Sequence, residues 1–233
     1  MLKKRLQIAV GILVIVILCL LVYQQNKSQE NKHYYPNFTT KHYKGLGDKE
    51  WKHFDDAVSE CRAILKNNTF LQARSSFWER HGVEPAVGYA AWLFQESRFN
   101  GFAIGDQGRA HGYGQIHIAA LSEMNNIRRQ RGDKEFSHDE LVGESPELLE
   151  FFLESFHDYI ELCKRRYSSR PTTMKASLNA WNGGGKNGKI QESKYSGGIK
   201  SMILQYYERK RAEEQRKKKA GAQAYRPLSF TKL

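Results

Sequence analysis

Apolar positions recur every three or four residues in "DKEWKHFDDAVSECRAILKNN", where Trp51, Phe54, Val58, Cys61 and then Ile64 or Leu65 fall on one face of a helix. The same period predicts helices over residues 85–99, 118–131, 146–166, 171–181 and 199–219. Pro85, Pro146 and Pro171 stand at the start of three of them, where the absent N–H would have no partner in any case. No run alternates apolar and polar positions in the manner of a strand. Two glycine-rich connections, residues 101–114 and 183–198, interrupt the helical pattern, and there is no internal repeat. The expected fold is all-α or mainly α, a single domain of short to medium helices.

Ahead of the first amphipathic helix the pattern changes. In "MLKKRLQIAVGILVIVILCLLVYQQNK", Lys3, Lys4 and Arg5 precede an uncharged run over residues 6–23. That run is near the lower limit of about 17 to 20 apolar residues needed to cross a bilayer as a helix. It is long for the apolar part of a cleaved signal, and no small-x-small site follows it, so it reads as an uncleaved anchor. The basic residues before it predict a cytoplasmic segment 1–5 and export of everything after residue 23. Residues 24–48 are polar and aperiodic, a linker. The folded domain is expected over 49–207, with a basic tail over 208–233. Cys61 and Cys163 lie in the exported part, either as one disulfide or as two separate buried thiols; spacing does not choose.

The net charge of +12 points to an anionic partner or surface: nucleic acid, phospholipid head groups or an acidic wall polymer. Residues 208–219 carry seven basic and three acidic side chains, which suits a solvated extension of the last helix or a polybasic contact. A nucleic-acid binder needs a basic recognition element inside its domain, and only Arg128, Arg129 and Arg131 on one helix are available. Nucleic acid is therefore disfavoured as the partner. No His/Cys cluster has metal-ligand spacing, and neither a metal nor a cofactor is expected.

One carboxylate breaks an otherwise apolar helix, "AWLFQESRFN". Projecting residues 85–99 as a helix places Ala86, Val87, Ala90, Leu93, Phe94 and Ser97 on one side, and Tyr89, Trp92, Glu96 and Phe99 on another. A carboxyl among aromatic rings loses the solvation that favours its charged form, so its pKa rises and it can act as a general acid. The alternative is a glutamate at the core's rim that reaches water or Arg98. The segment that follows, "GFAIGDQGRAHGYGQIHIAAL", packs five glycines into residues 101–114, as a close-approaching cleft wall would require.

"QESRFN", then "AIGDQGRAHGYGQI", then "LNAWNGGG" together resemble the three-part signature of the lytic transglycosylases and goose-type lysozymes, over residues 84–185. The resemblance implies a lysozyme-like helical domain and places the catalytic acid on Glu96, with Ser97 shaping the cleft. It implies substrate contacts from Gly112, Tyr113 and Gln115 in the turn, and from Trp181 and Asn182 in the third motif, which spans Ala180 to Gly183. Trp181 stands where the family usually has Tyr, and Tyr113 and Gly114 replace the usual apolar pair. In the goose-type enzymes the aspartate of the "GD-G" positions a water, and here that position is Asp106, which equally suits an Asx-turn. A second acidic position of that group is His117.

The implied reaction is cleavage of the β-1,4 bond between N-acetylmuramic acid and N-acetylglucosamine in peptidoglycan, with a 1,6-anhydro product or, for a hydrolase, a reducing end. The implied partners are glycan strands, a membrane through the N-terminal helix, and a larger envelope-spanning or virion assembly. The implied location is a single-pass inner membrane with the domain in the periplasm, or a virion membrane. A wall-binding assembly protein that has lost turnover is the rival reading, with Trp181 in place of Tyr as its best support. A reporter fused after Leu233 should be active only outside the cytoplasm; release of a soluble form beginning after residue 23 would show that the apolar run is cleaved.

Overall fold

The computed structural model describes residues 46–167, 173–183, 185–186, 189–190 and 194–224. The expected anchor (6–23) and all but the end of the linker lie outside the described residues, as do residues 225–233 of the tail. Every described residue belongs to one compact unit. Among the described residues no helix is long and apolar enough to cross a membrane.

Helix α1, Asp48–Asn67, buries Trp51, Phe54, Ala57, Val58 and Cys61, the face that the periodicity marks. Its start is closed by Glu50, which accepts the Gly47 N–H at 2.9 Å. Asn68 ends it and begins α2, Thr69–Gln72, by accepting the Leu71 N–H at 2.8 Å. A single further turn, α3 (Ser76–Glu79), delivers Trp78 to the core.

Helix α4, Pro85–Ser97, is buried all round from Pro85 to Phe94, so it is the central helix of the domain. It packs on α1 and on the last helix. Three short antiparallel strands follow: β1 (Ile104–Gly105), β2 (Ala110–His111) and β3 (Ile116–His117), in that spatial order. They pair Ile104 with His111 and Ala110 with His117. These two-residue strands escaped the sequence pattern because they are too short to show a period of two.

Helix α5, Ile118–Arg131, stops at Gly132, whose φ of 77° is the left-handed geometry of a helix end. Helix α6, Pro146–Arg166, starts where Ser145 Oγ accepts the Leu148 N–H at 3.1 Å. Helix α7, Met174–Gly183, packs against α6 and the last helix. A strand pair, β4 (Gly185–Lys186) and β5 (Lys189–Ile190), leads to α8, Tyr195–Ala224. Helices α4, α5 and α6 begin where the sequence places them. The described part of α7 starts at Met174, three residues after Pro171. Helix α8 begins four residues before the expected 199, since the polar "YSGG" has no apolar period to announce it.

The core is aromatic. Trp78 stacks on Phe156 at 5.8 Å, and Trp92 meets Phe156 at 4.8 Å. Tyr89 bonds through its hydroxyl to His157, whose burial holds the imidazole down at about 3 and so keeps it neutral. Cys61 and Cys163 are two separate buried thiols. Arg128 and Arg131 turn inward to Glu154 (2.6 Å) and Asp158 (2.7 Å), while Arg129 pairs with Glu135 at 2.6 Å; all three join one segment of the domain to another.

The boundary expected at residue 207 is not a break. Helix α8 continues through it, and Arg209 pairs with Asp55 of α1 at 2.6 Å. Its guanidinium also lies 5.0 Å from the Trp51 ring centroid.

Gly88 lets α4 accept the Trp78 ring: a Cβ there would sit 2.3 Å from it. Gly88→Ala should destabilise the domain by about 1–3 kcal/mol despite the better helix former, measured by urea unfolding of the full chain. A stabilised variant would show that the Trp78 ring is free to move.

Candidate active site

Glu96 sits in the last turn of α4, followed at once by Ser97, the final helical residue. Ser97 Oγ donates to the Leu93 carbonyl at 3.3 Å and accepts the Asn100 N–H at 3.1 Å, so it closes the helix that carries the acid. Arg98 and Phe99 then take left-handed φ values of 59° and 57°, turning the chain sharply out of the helix. Arg98 does not pair with Glu96; its guanidinium lies 5.5 Å from the Phe94 ring centroid.

The partner of Glu96 comes from far along the chain. Tyr195, the first residue of α8, donates its hydroxyl to Glu96 Oε1. Burial pushes the Glu96 carboxyl up to about 7, and hydrogen bonding from Tyr195, then from Trp181, offsets part of that rise. The residue as a whole is half-buried, and its link to the neighbouring cleft runs through Trp181, since Glu96 is not among the side chains that line it. Tyr195 itself is held neutral, its pKa raised by burial and by the Glu96 charge. Trp181 stands edge-on to Trp92 at 4.7 Å and to Tyr159 at 5.4 Å, which fixes its indole on the aromatic floor around the acid.

Next to this group lies a cleft of about 340 Å³. Trp181 and Asn182 of α7 line one side; Gln115, Ile116 and His117 line another. Its lining also includes Glu123 paired with Arg166 at 2.6 Å. The chain therefore brings Glu96, Gln115, Trp181 and Asn182, which the sequence separates by up to 86 positions, into one region. The result is a mainly helical domain with a ring-enclosed acid beside an open cleft. No family model, curated protein or solved structure matches this chain.

Other predicted residues take different places. Gln115, at φ 50°, spends both amide protons on the Gly112 carbonyl (2.9 Å) and the Ala103 carbonyl (3.1 Å), which staples the loop shut. Gly112 is required by its own fold: at φ 74° a Cβ would lie 2.2 Å from the Leu141 carbonyl. Tyr113 lines a separate cavity. Asp106 is half-exposed, paired with Arg109 at 2.8 Å and with His117 at 3.5 Å, and makes no contact with Glu96. His111 stacks on His138 at 3.7 Å and serves the loop.

Sequence reasoning missed Tyr195. The only available signal was a single aromatic in "SKYSGGIK", just ahead of the helical period, and nothing local links it to an acid 99 residues earlier.

Because the folded chain holds a proton on Glu96 above the ordinary carboxylate value, its stability falls as pH rises from about 4.5 to about 7. Glu96→Gln should remove that slope and gain on the order of 2 kcal/mol over the parent at pH 8 relative to pH 5, after discounting partial exposure. Urea unfolding at both values measures it. Tyr195→Phe, which removes a donor to the ionised form, should move the Glu96 midpoint higher in carboxyl 13C NMR; a lower midpoint would contradict the arrangement.

Proposed function

We propose that this protein is a peptidoglycan lytic transglycosylase, anchored by its N-terminal segment, that cleaves the bond between N-acetylmuramic acid and N-acetylglucosamine. The observation that carries the proposal is the state of Glu96: a carboxyl poised near 7, held by Tyr195 beside Trp181, next to a cleft lined by Gln115 and Asn182. A carboxylic acid that keeps its proton near neutral pH is what glycosidic-oxygen protonation needs.

Glu96 gives its proton to the glycosidic oxygen while the bond to the muramoyl C1 breaks with oxocarbenium character. The carboxylate left behind takes the proton of the muramoyl C6 hydroxyl. O6 then closes on C1, giving the 1,6-anhydro sugar, and the acid regains its starting state. Tyr195 donates to Glu96 most strongly when the acid is ionised, so it stabilises the half-way state without leaving its position. Trp181 offers a flat ring for sugar stacking, and Asn182 offers polar contacts at the same wall.

One observation favours ring closure over water. An inverting hydrolase needs a second carboxylate across the sugar, about 6.5 to 9.5 Å away. Asp106, the residue proposed for that task, is committed to Arg109 and His117. The hydroxyl that Trp181 lacks is supplied by Tyr195, which weighs against the rival reading of a protein that binds the wall without cutting it.

Glu96→Gln retains size and hydrogen bonding but moves no proton, so cleavage of purified peptidoglycan should fall ~10²- to 10⁴-fold with the fold intact. Asp106→Asn should cost only a few-fold, and mass analysis should find mainly 1,6-anhydro ends. Full cleavage by Glu96→Gln would end the proposal. Reducing ends together with a large loss in Asp106→Asn would instead make the enzyme a goose-type hydrolase.

A further inference from the structure

A second cavity, of about 330 Å³, opens where α1, the chain leaving α4, the turn between β2 and β3, and the start of α6 meet. Glu60 and Glu144 face it, with Phe99 and Tyr113 as aromatic walls and Ile64 and Leu149 as aliphatic ones. In a chain of net charge +12, most acidic groups of the domain have a basic partner, as Asp55, Glu84, Glu123 and Glu154 do. Among the described residues the carboxylates of Glu60 and Glu144 have no lysine or arginine partner. His53, also on the rim, spends its Nε2 on the Arg98 carbonyl at 3.0 Å. The Glu60 pKa is raised, by burial first and by the Glu144 charge second, while His53 works to lower it.

The third polar group is Tyr113. Only 3% of the residue is exposed, its ring packs on Phe99 at 5.0 Å and on Phe152 at 5.8 Å, and it lines the cavity. Its hydroxyl makes no hydrogen bond to any described residue. The residue is buried but its hydroxyl is not among the sealed, unpartnered polar atoms of the domain, so it is left open for water or for a group that enters the cavity. Burial raises its pKa, then Glu144 and Glu60 raise it further; all three side chains line the same cavity.

We propose that this cavity binds a primary alkylammonium group, the end of a lysine-like side chain or of a free alkyl amine. An ammonium has three N–H donors and no acceptor, and Glu60, Glu144 and the Tyr113 oxygen present three acceptors. The rings of Phe99 and Tyr113 add attraction for a cation near their faces, and Ile64 and Leu149 suit an alkyl stem. A bare divalent ion fits less well. Calcium takes six to eight oxygens, Ser145 Oγ is already used by the α6 cap, and no group of three metal-binding side chains occurs among the described residues. The site is separate from the Glu96 cleft and does not rest on the glycan-cleaving proposal.

The test is calorimetric titration of the full chain in detergent micelles with n-pentylamine, with n-pentanol as the neutral match in shape. Pentylamine should bind saturably and at least ~10-fold more tightly than pentanol. Glu60→Gln and Glu144→Gln should each weaken it by about 10-fold, and the double variant should abolish it. Tyr113→Phe, which keeps the ring, should weaken it a few-fold. Nα-acetyl-lysine amide serves as the second arm: tighter binding than pentylamine makes a peptide side chain the source, and weaker binding makes it a free amine. Equal affinity for pentanol, an undiminished double Gln variant, or equal displacement by sodium chloride and by a lysine amide would overturn the proposal.

Discussion

The contact on which the site depends is the hydrogen bond from Tyr195 to Glu96, because it joins the end of α4 to the start of α8 across 99 residues. A carboxyl placed among Trp92, Trp181 and Tyr195 has little water to stabilise its charge. Left without a donor its pKa would rise further. With one phenolic donor it is poised instead of fixed, near 7, where either state is within reach. The contact also sets where α7 lies, since Trp181 must reach the same aromatic floor that Tyr195 closes.

Around this contact the backbone is held in forms that isolated residues avoid. Arg98, Phe99, Asp106, Gln107 and Gln115 all have positive φ, a geometry that disfavours ordinary side chains by roughly 1–2 kcal/mol each. Five in eighteen residues persist only because the surroundings over-determine them. Gln115 binds two carbonyls of its own loop, and Gly101 lies so near the Gly143 carbonyl that a Cβ would come within 2.0 Å. The glycines serve this compact wall first. Their closeness to Phe152 and Leu141, not to an approaching ligand, is what excludes larger residues at Gly112.

Charge is distributed on the same principle. The domain's arginines bind its own acids: Arg62 to Glu84, Arg128 to Glu154, Arg131 to Asp158 and Arg209 to Asp55. What remains basic and solvent-facing is concentrated in the last turns of α8, around Arg216 to Lys219. The surplus of +12 is therefore mostly a property of the chain's ends, and the arginine that lines the cleft, Arg166, is paired with Glu123.

The sequence by itself determined the long helices, because each is a local period of apolar residues with a capping or proline start, and such signals need no knowledge of distant chain. It also singled out Glu96, since an acid in the apolar run of α4 is anomalous wherever that helix packs. Tertiary structure decided the rest. The two-residue strands arise from a loop folding on itself, too short to carry a pattern. The roles of Gln115, Tyr113 and Asp106 turned on which neighbour each side chain met: a carbonyl, a second cavity, an arginine. Tyr195 could not be read at all, because its partner is chosen by the packing of α8 on α4, and contacts across 99 residues leave no periodic trace in the chain that makes them.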